Sequence, residues 1–137
     1  MGDDRMRLGR ATVYAIFAVV HLARTSPQVS VPARDIAETY GIPPAHLMKL
    51  LQSLVRAGIL NSGRGPNGGF CLKKQPEKIS LLSIVEAIEG PLAGRITLEK
   101  GITAPGTAHG GLEHCYQQVV DYARTVLQNK SVATLTR

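Results

Sequence analysis

Residues 39–76 contain no carboxylate, but they do contain Lys49, Arg56, Arg64, Lys73 and Lys74. Cations unopposed by neighbouring carboxylates are what a surface needs to neutralise phosphates. Within this stretch stands Gly63-Arg64-Gly65-Pro66-Asn67-Gly68-Gly69, a glycine-laced loop bearing one guanidinium. An arginine at the tip of a narrow hairpin suits the minor groove of DNA, whose negative potential attracts it, with Gly65 and Pro66 shaping the approach. A cradle for nucleotide phosphates is the competing chemistry. Neither a Walker pattern nor a strand-to-helix glycine fingerprint accompanies the loop, however. Upstream, Pro44, Ala45, His46 and Lys49 open an amphipathic segment. His46 and Lys49 can reach base edges or phosphates, and Ala45 can offer an apolar contact. Arg7 and Arg10 are expected to hold phosphates, which position a protein on DNA without reading sequence.

The other chemistry-bearing groups are His109, Glu113, His114, Cys115 and, far from them, Cys71. Two cysteines are too few for a disulfide framework or a four-cysteine zinc site. Apolar and aromatic neighbours (Phe70, Leu72, Tyr116) predict ordinary buried thiols. His114 and Cys115 are adjacent, so they point in different directions on a helix, and His109 falls in a predicted loop; this is a poor metal-ligand set. An enzyme built on Cys115 lacks a base and an orienting group. No catalytic residue, metal site or cofactor is predicted.

These groups need elements to carry them. Apolar residues on more than one stripe (Val13, Ile16, Phe17, Val19, Val20, Leu22) predict a first helix over residues 8–23, covered on two sides, with help from another subunit. Ser30 is the expected N-cap of a second helix over residues 31–40, ended by Gly41. Pro43-Pro44 starts a third helix reaching Arg56 or Ala57, with Leu47, Leu50, Leu51 and Leu54 turned to the core. Two helices joined by a short glycine turn, the second with a polar cationic face, form a helix-turn-helix. Residues 59–62 and 70–73 are predicted to pair as strands around the glycine loop. Ser80 caps a fourth helix over residues 81–89. Residues 90–111 hold six glycines and two prolines and read as a long loop. After it Leu112, Cys115, Tyr116, Val119, Val120, Ala123, Val126 and Leu127 recur at helical period, and Ser131 can cap a short last helix. Tyr116, Val119, Val120, Ala123, Val126 and Leu127 are assigned to a dimer interface, with packing inside the same chain as the competing explanation.

Charge follows the same division. Residues 1–78 hold 11 Lys/Arg and 5 Asp/Glu, whereas residues 79–137 hold 5 of each, so the whole formal excess of +6 lies in the N-terminal half. That half should face a polyanion. The apolar run from Val13 to Leu22 is too short to span a bilayer and its flanks do not suit a signal peptide, so a cytoplasmic protein without membrane contact is expected.

With these pieces assembled, the chain resembles the Rrf-two family of bacterial winged-helix regulators, which includes IscR, NsrR and CymR. The resemblance rests on Met6-Arg7-Leu8, Tyr14-Ala15, Ile36-Ala37, Leu47 through Leu54 and Ala57-Gly58-Ile59-Leu60. It continues through Arg64-Gly65-Pro66, Gly68-Gly69-Phe70 and the run from Ile84 to Leu92 containing Glu89-Gly90-Pro91-Leu92. It implies a homodimer on a partly palindromic operator, usually as a repressor. Many members of the family sense iron–sulfur status, nitric oxide or redox state through three cysteines just after the Glu-Gly-Pro segment. Residues 93–114 of this chain contain no cysteine, so cluster binding in the family's manner is not expected. A small molecule in the dimer cleft, oxidation of Cys115 or a partner protein stays open as an input.

The expected fold is mainly α with a small β-wing: a winged helix-turn-helix domain plus a long C-terminal dimerisation helix. Residues 1–5 form an extension, 6–92 the DNA-binding domain, 93–111 a flexible glycine-rich loop, and 112–137 the dimerisation helix and tail. The expected partner is double-stranded DNA. The rival is a winged-helix protein–protein adaptor without specific DNA binding, since fold does not fix function.

Overall fold

The computed structural model describes residues 8–25, 29–63 and 68–137. Five α-helices and a two-stranded sheet make up most of it: α1 (Arg10–Arg24), α2 (Ala33–Tyr40), α3 (Pro44–Arg56), β1 (Leu60–Ser62), β2 (Phe70–Leu72), α4 (Leu81–Glu89) and α5 (Ala108–Gln128). Short 3-10 turns lie at Pro76–Lys78 and Val132–Leu135. The core gathers Ala15, Val19 and Leu22 of α1, Ile36 of α2, Leu47, Leu51 and Leu54 of α3, Leu60 of β1 and Ile84 of α4, all at most 2% exposed.

Local signals and tertiary demands explain where each element begins. Pro44 opens α3 because a proline at the first helical position gives up no hydrogen bond. Ser80 caps α4 through its side-chain oxygen, which accepts from the amide of Ser83 at 3.1 Å. At α2 the expectation fails: the helix starts at Ala33, after Pro32, and Ser30 is not its cap. Val31 is extended instead and exchanges two backbone hydrogen bonds of 2.9 Å with Phe70. That bridge adds a third edge to the β1–β2 hairpin, which is antiparallel with Leu60 opposite Leu72 and Ser62 opposite Phe70. Gly69 makes the bridge feasible, since a Cβ there would meet the Val31 carbonyl oxygen at 2.6 Å.

α5 begins at Ala108, four residues before the expected start at Leu112. Gly110 and Gly111 cost helix propensity, roughly 1 kcal/mol each in a helix interior. They sit in the first turn, however, where His109 and Glu113 meet one turn apart at 3.5 Å. The segment before α5 is tied down through alternate amides. Leu92 donates to Glu86 Oε2, Gly94 to Gln117 Oε1 and Ile96 to Glu113 Oε2, each at 2.9 Å. Gly94 lies so close to α5 that a Cβ would meet the Gln117 Cα at 2.5 Å. Arg124 donates to Glu86, linking α5 to α4.

The second side of α1 is covered in part by the end of the same chain, while Phe17 stays 49% exposed. Beyond α5 the backbone returns: Leu81 donates to the Lys130 carbonyl and Val132 to the Ile79 carbonyl, both at 2.9 Å. Val132 is fully buried in the core, and its turn packs on α1 as β2 does. Thr12 of α1, also fully buried, donates to Glu89 of α4 at 2.6 Å.

Candidate nucleic-acid interface

α3 divides its residues sharply. Leu47, Leu50, Leu51 and Leu54 are buried, while Pro44, Ala45, His46, Met48, Lys49 and Gln52 are exposed. The exposed set therefore forms one polar, cationic face held by a leucine stripe packed against α1, α2 and α4. At its start the helix has Pro43 before it, which offers no side-chain cap. The first helical backbone bond runs from Leu47 to the Pro43 carbonyl, so the amides of Ala45 and His46 are left for an outside acceptor.

His46 is held from the side. The ring of Tyr14 meets its imidazole edge-on, with centroids 5.8 Å apart at 87°. Sequence reading did not assign Tyr14 to the site. The available signal was that Tyr14 stands one turn after Arg10 on α1, so both project from the same side of that helix. Arg10 is exposed at the first position of α1. The wing adjoins the other end of α3: Gln52, Val55 and Arg56 border a shallow hollow with Ser62 and Phe70. Arg56 donates to Ser53, whose hydroxyl donates to the Lys49 carbonyl, so part of the outer face is tied locally. Arg7, Arg64, Gly65 and Pro66 lie outside the described residues.

The predicted interface residues on α5 separate into two groups. Val120, Ala123 and Leu127 are half-buried and line, with Leu8, Val85 and Leu92, a hollow of about 320 Å³ between α4 and α5. Tyr116, Val119 and Val126 are exposed at 39%, 46% and 40%. Two further exposed apolar side chains stand with them, Leu112 at 56% and Tyr122 at 74%. Leu112 was visible in the periodic pattern; Tyr122 was passed over because it falls between the residues that α5 turns toward its own chain.

Comparison with known proteins decides the family. The model described as Rrf2, iron-dependent transcriptional regulator, matches residues 8–137. The chain belongs to the Rrf2 family. It is 32% identical over 132 residues to BadM of Rhodopseudomonas palustris, named as an HTH-type transcriptional regulator, covering 96% of this chain and 82% of that protein. Among solved structures it superposes on CymR, the global cysteine regulator of Bacillus subtilis, with a TM-score of 0.76 at 21% identity, covering 96% of each chain. IscR of T. potens gives 0.72 at 21% identity, covering 96% of this chain and 86% of that one. These last two likenesses establish the winged-helix fold, and the Rrf2 membership makes the chain a transcriptional regulator rather than an enzyme.

The family description names iron. An iron–sulfur cluster is held by several thiolates. This Rrf2 chain has two cysteines, Cys71 half-buried on β2 and Cys115 exposed on α5. Among the described residues no three His, Cys, Asp or Glu groups gather in a ligating cluster. His109 and Glu113 do meet, but Glu113 is engaged by the Ile96 amide, which with His109 and Arg95 holds its carboxyl below the ordinary range. The residues present do not fit a cluster. No helix among the described residues is long and apolar enough to cross a membrane.

Proposed function

We propose that this regulator binds a partly palindromic DNA operator as a homodimer and represses transcription. α3 enters the major groove, Arg64 of the wing enters the minor groove, and Arg7 and Arg10 hold phosphates. The observation that carries the reading is the exposed, carboxylate-free outer face of α3. Its uncapped start presents free amides beside His46 and Lys49, on a helix whose other face is locked into the core. Free amides and cations at a helix start favour an anion, and a helix-turn-helix brings that start to the base edges. The adjoining wing supports a second contact in the neighbouring groove.

A homodimer is supported by the exposed apolar side chains of α5, which a soluble surface helix does not ordinarily leave uncovered in a row. Two copies related by a two-fold axis match an operator whose half-sites are themselves inverted. Selection of bound duplexes from random DNA with the purified protein, followed by binding to the selected site across a salt series, tests the reading. A selected inverted repeat and a steep fall of log affinity with log salt are expected. Weak binding of all duplexes with little salt slope would instead indicate the protein–protein adaptor.

A further inference from the structure

The outer face of α3 offers few kinds of chemistry, and that narrows what it can read. At 100° per residue, Ala45, Lys49, Gln52 and Arg56 form the line opposite the buried leucines. Ala45 has no hydrogen-bonding side chain, and Lys49 and Arg56 can only donate. Arg56 is moreover engaged with the Ser53 hydroxyl at 3.1 Å. Gln52 alone on this line carries an acceptor and a donor side by side. It is exposed and takes part in no side-chain hydrogen bond among the described residues, although its neighbour Ser53 does. One turn earlier stands Met48, an apolar side chain left 39% exposed between His46, Lys49 and Gln52.

Base edges in the major groove differ in the same terms. Guanine shows two acceptors, cytosine a donor, thymine an acceptor and a methyl group, and adenine an acceptor beside a donor. Only adenine answers both halves of a carboxamide at once, and only thymine offers an apolar group. We propose that Gln52 reads an adenine in each operator half-site through its N6 and N7 positions, and that Met48 packs on a thymine methyl group close by. This rests on the DNA-binding reading above and adds which bases α3 selects. Neither residue was assigned to the site from sequence. Side chains one turn apart on a helix stand about 6 Å apart, and stacked base pairs about 3.4 Å apart. The two contacts therefore fall within about two base pairs of one another.

The setting of Gln52 favours a base over a phosphate. Its amide is neutral, and the line already carries Lys49 and Arg56, whose charges bind phosphate more strongly than an amide does. Gln52 also borders the hollow it shares with Val55, Arg56, Ser62 and Phe70, so the adjoining wing limits the directions its side chain can take.

Selection of bound duplexes from random DNA, with the full chain and its Gln52 and Met48 variants, tests the assignment. Wild type is expected to enrich half-sites that share one A·T pair. Gln52→Ala should lose the preference at that pair alone. Gln52→Arg should change it from A·T to G·C, since arginine matches the two acceptors of guanine. A misfolded protein cannot show such an exchange. Single groups are then removed from the selected site. 7-Deazaadenine, which lacks N7, should weaken wild type about tenfold and leave Gln52→Ala unaffected. Deoxyuridine in place of thymidine removes only the methyl group; it should weaken wild type about fourfold and leave Met48→Ala unaffected. An unchanged base profile in Gln52→Ala overturns the proposal, as does a loss of affinity shared equally by all duplexes, which marks a phosphate contact. Wild-type protein that enriches no sequence sinks the operator reading itself, whereas a selected site without a Gln52-dependent position sinks only the assignment of bases.

Discussion

His46 and Lys49 share one exposed face, but the structure treats them differently. Tyr14 rests edge-on against His46, whereas Lys49 stands exposed on the open face of the helix. Replacing Tyr14 by leucine is therefore expected to leave the fold intact and to weaken specific binding more than nonspecific binding, measured by competition at fixed salt. Lys49→Ala, if it removes a phosphate contact, should weaken all sequences alike and lower the salt slope by about one. Arg64→Ala should cost about 1–3 kcal/mol of operator affinity and favour loss of specific over nonspecific binding; unchanged affinity at fixed salt would remove the wing from the site. Glu113 allows a test with a definite sign. Its carboxyl is held low by the Ile96 amide and, secondarily, by His109 and Arg95. A depressed folded-state value means that the contribution is fully present above the ordinary glutamate value, about 4.3. It fades as pH falls through the lower, folded value. The stability advantage of wild type over Glu113→Gln should thus be seen near neutral pH and vanish in acid, as followed by chemical denaturation across pH.

At the level of elements, the wing depends on one missing side chain. A methyl group at position 69 would press on the Val31 carbonyl, and backbone cannot rotate aside as a side chain can. Gly69→Ala is expected to cost about 1–3 kcal/mol, read from the denaturation midpoint. The same pairing shows why some elements were legible in the sequence and others were not. Pro44 and Ser80 act within a turn of themselves, so α4 could be placed to the residue and α3 to within one at either end. Ser30 looks like an equally good cap, but Val31 is claimed by Phe70, far along the chain, and α2 must start later. The start of α5 was hidden by two glycines that ordinarily break a helix. The proposed roles of Lys49 and Arg10 rest on charge, which is readable from sequence alone. The contact of Tyr14 with His46 is not, because it exists only once α1 lies across α3. Likewise, helical period alone does not say which part of α5 its own chain covers, and this is why Tyr122 escaped notice.

Across the whole molecule, the charge excess and the apolar stripe lie in different parts of the chain. The excess of positive charge belongs to residues 1–78, which carry α1, α2, α3 and the wing, and the exposed apolar side chains of α5 belong to a half with no net charge. Salt should therefore act differently on the proposed DNA binding and the proposed self-association. Raising salt is expected to weaken DNA binding steeply while leaving self-association unchanged or slightly strengthened, which sedimentation with and without duplex would separate. Closure of the core also sets an order of events. Among the described residues, every buried large apolar side chain but one lies at or before Val85, and the exception, Val132, follows the entire length of α5. During translation the helix-turn-helix half must therefore leave the ribosome with one wall missing. A nascent chain stalled short of that valine would expose the flank of α1 to proteases and chaperones, however completely its reading helix had already been made.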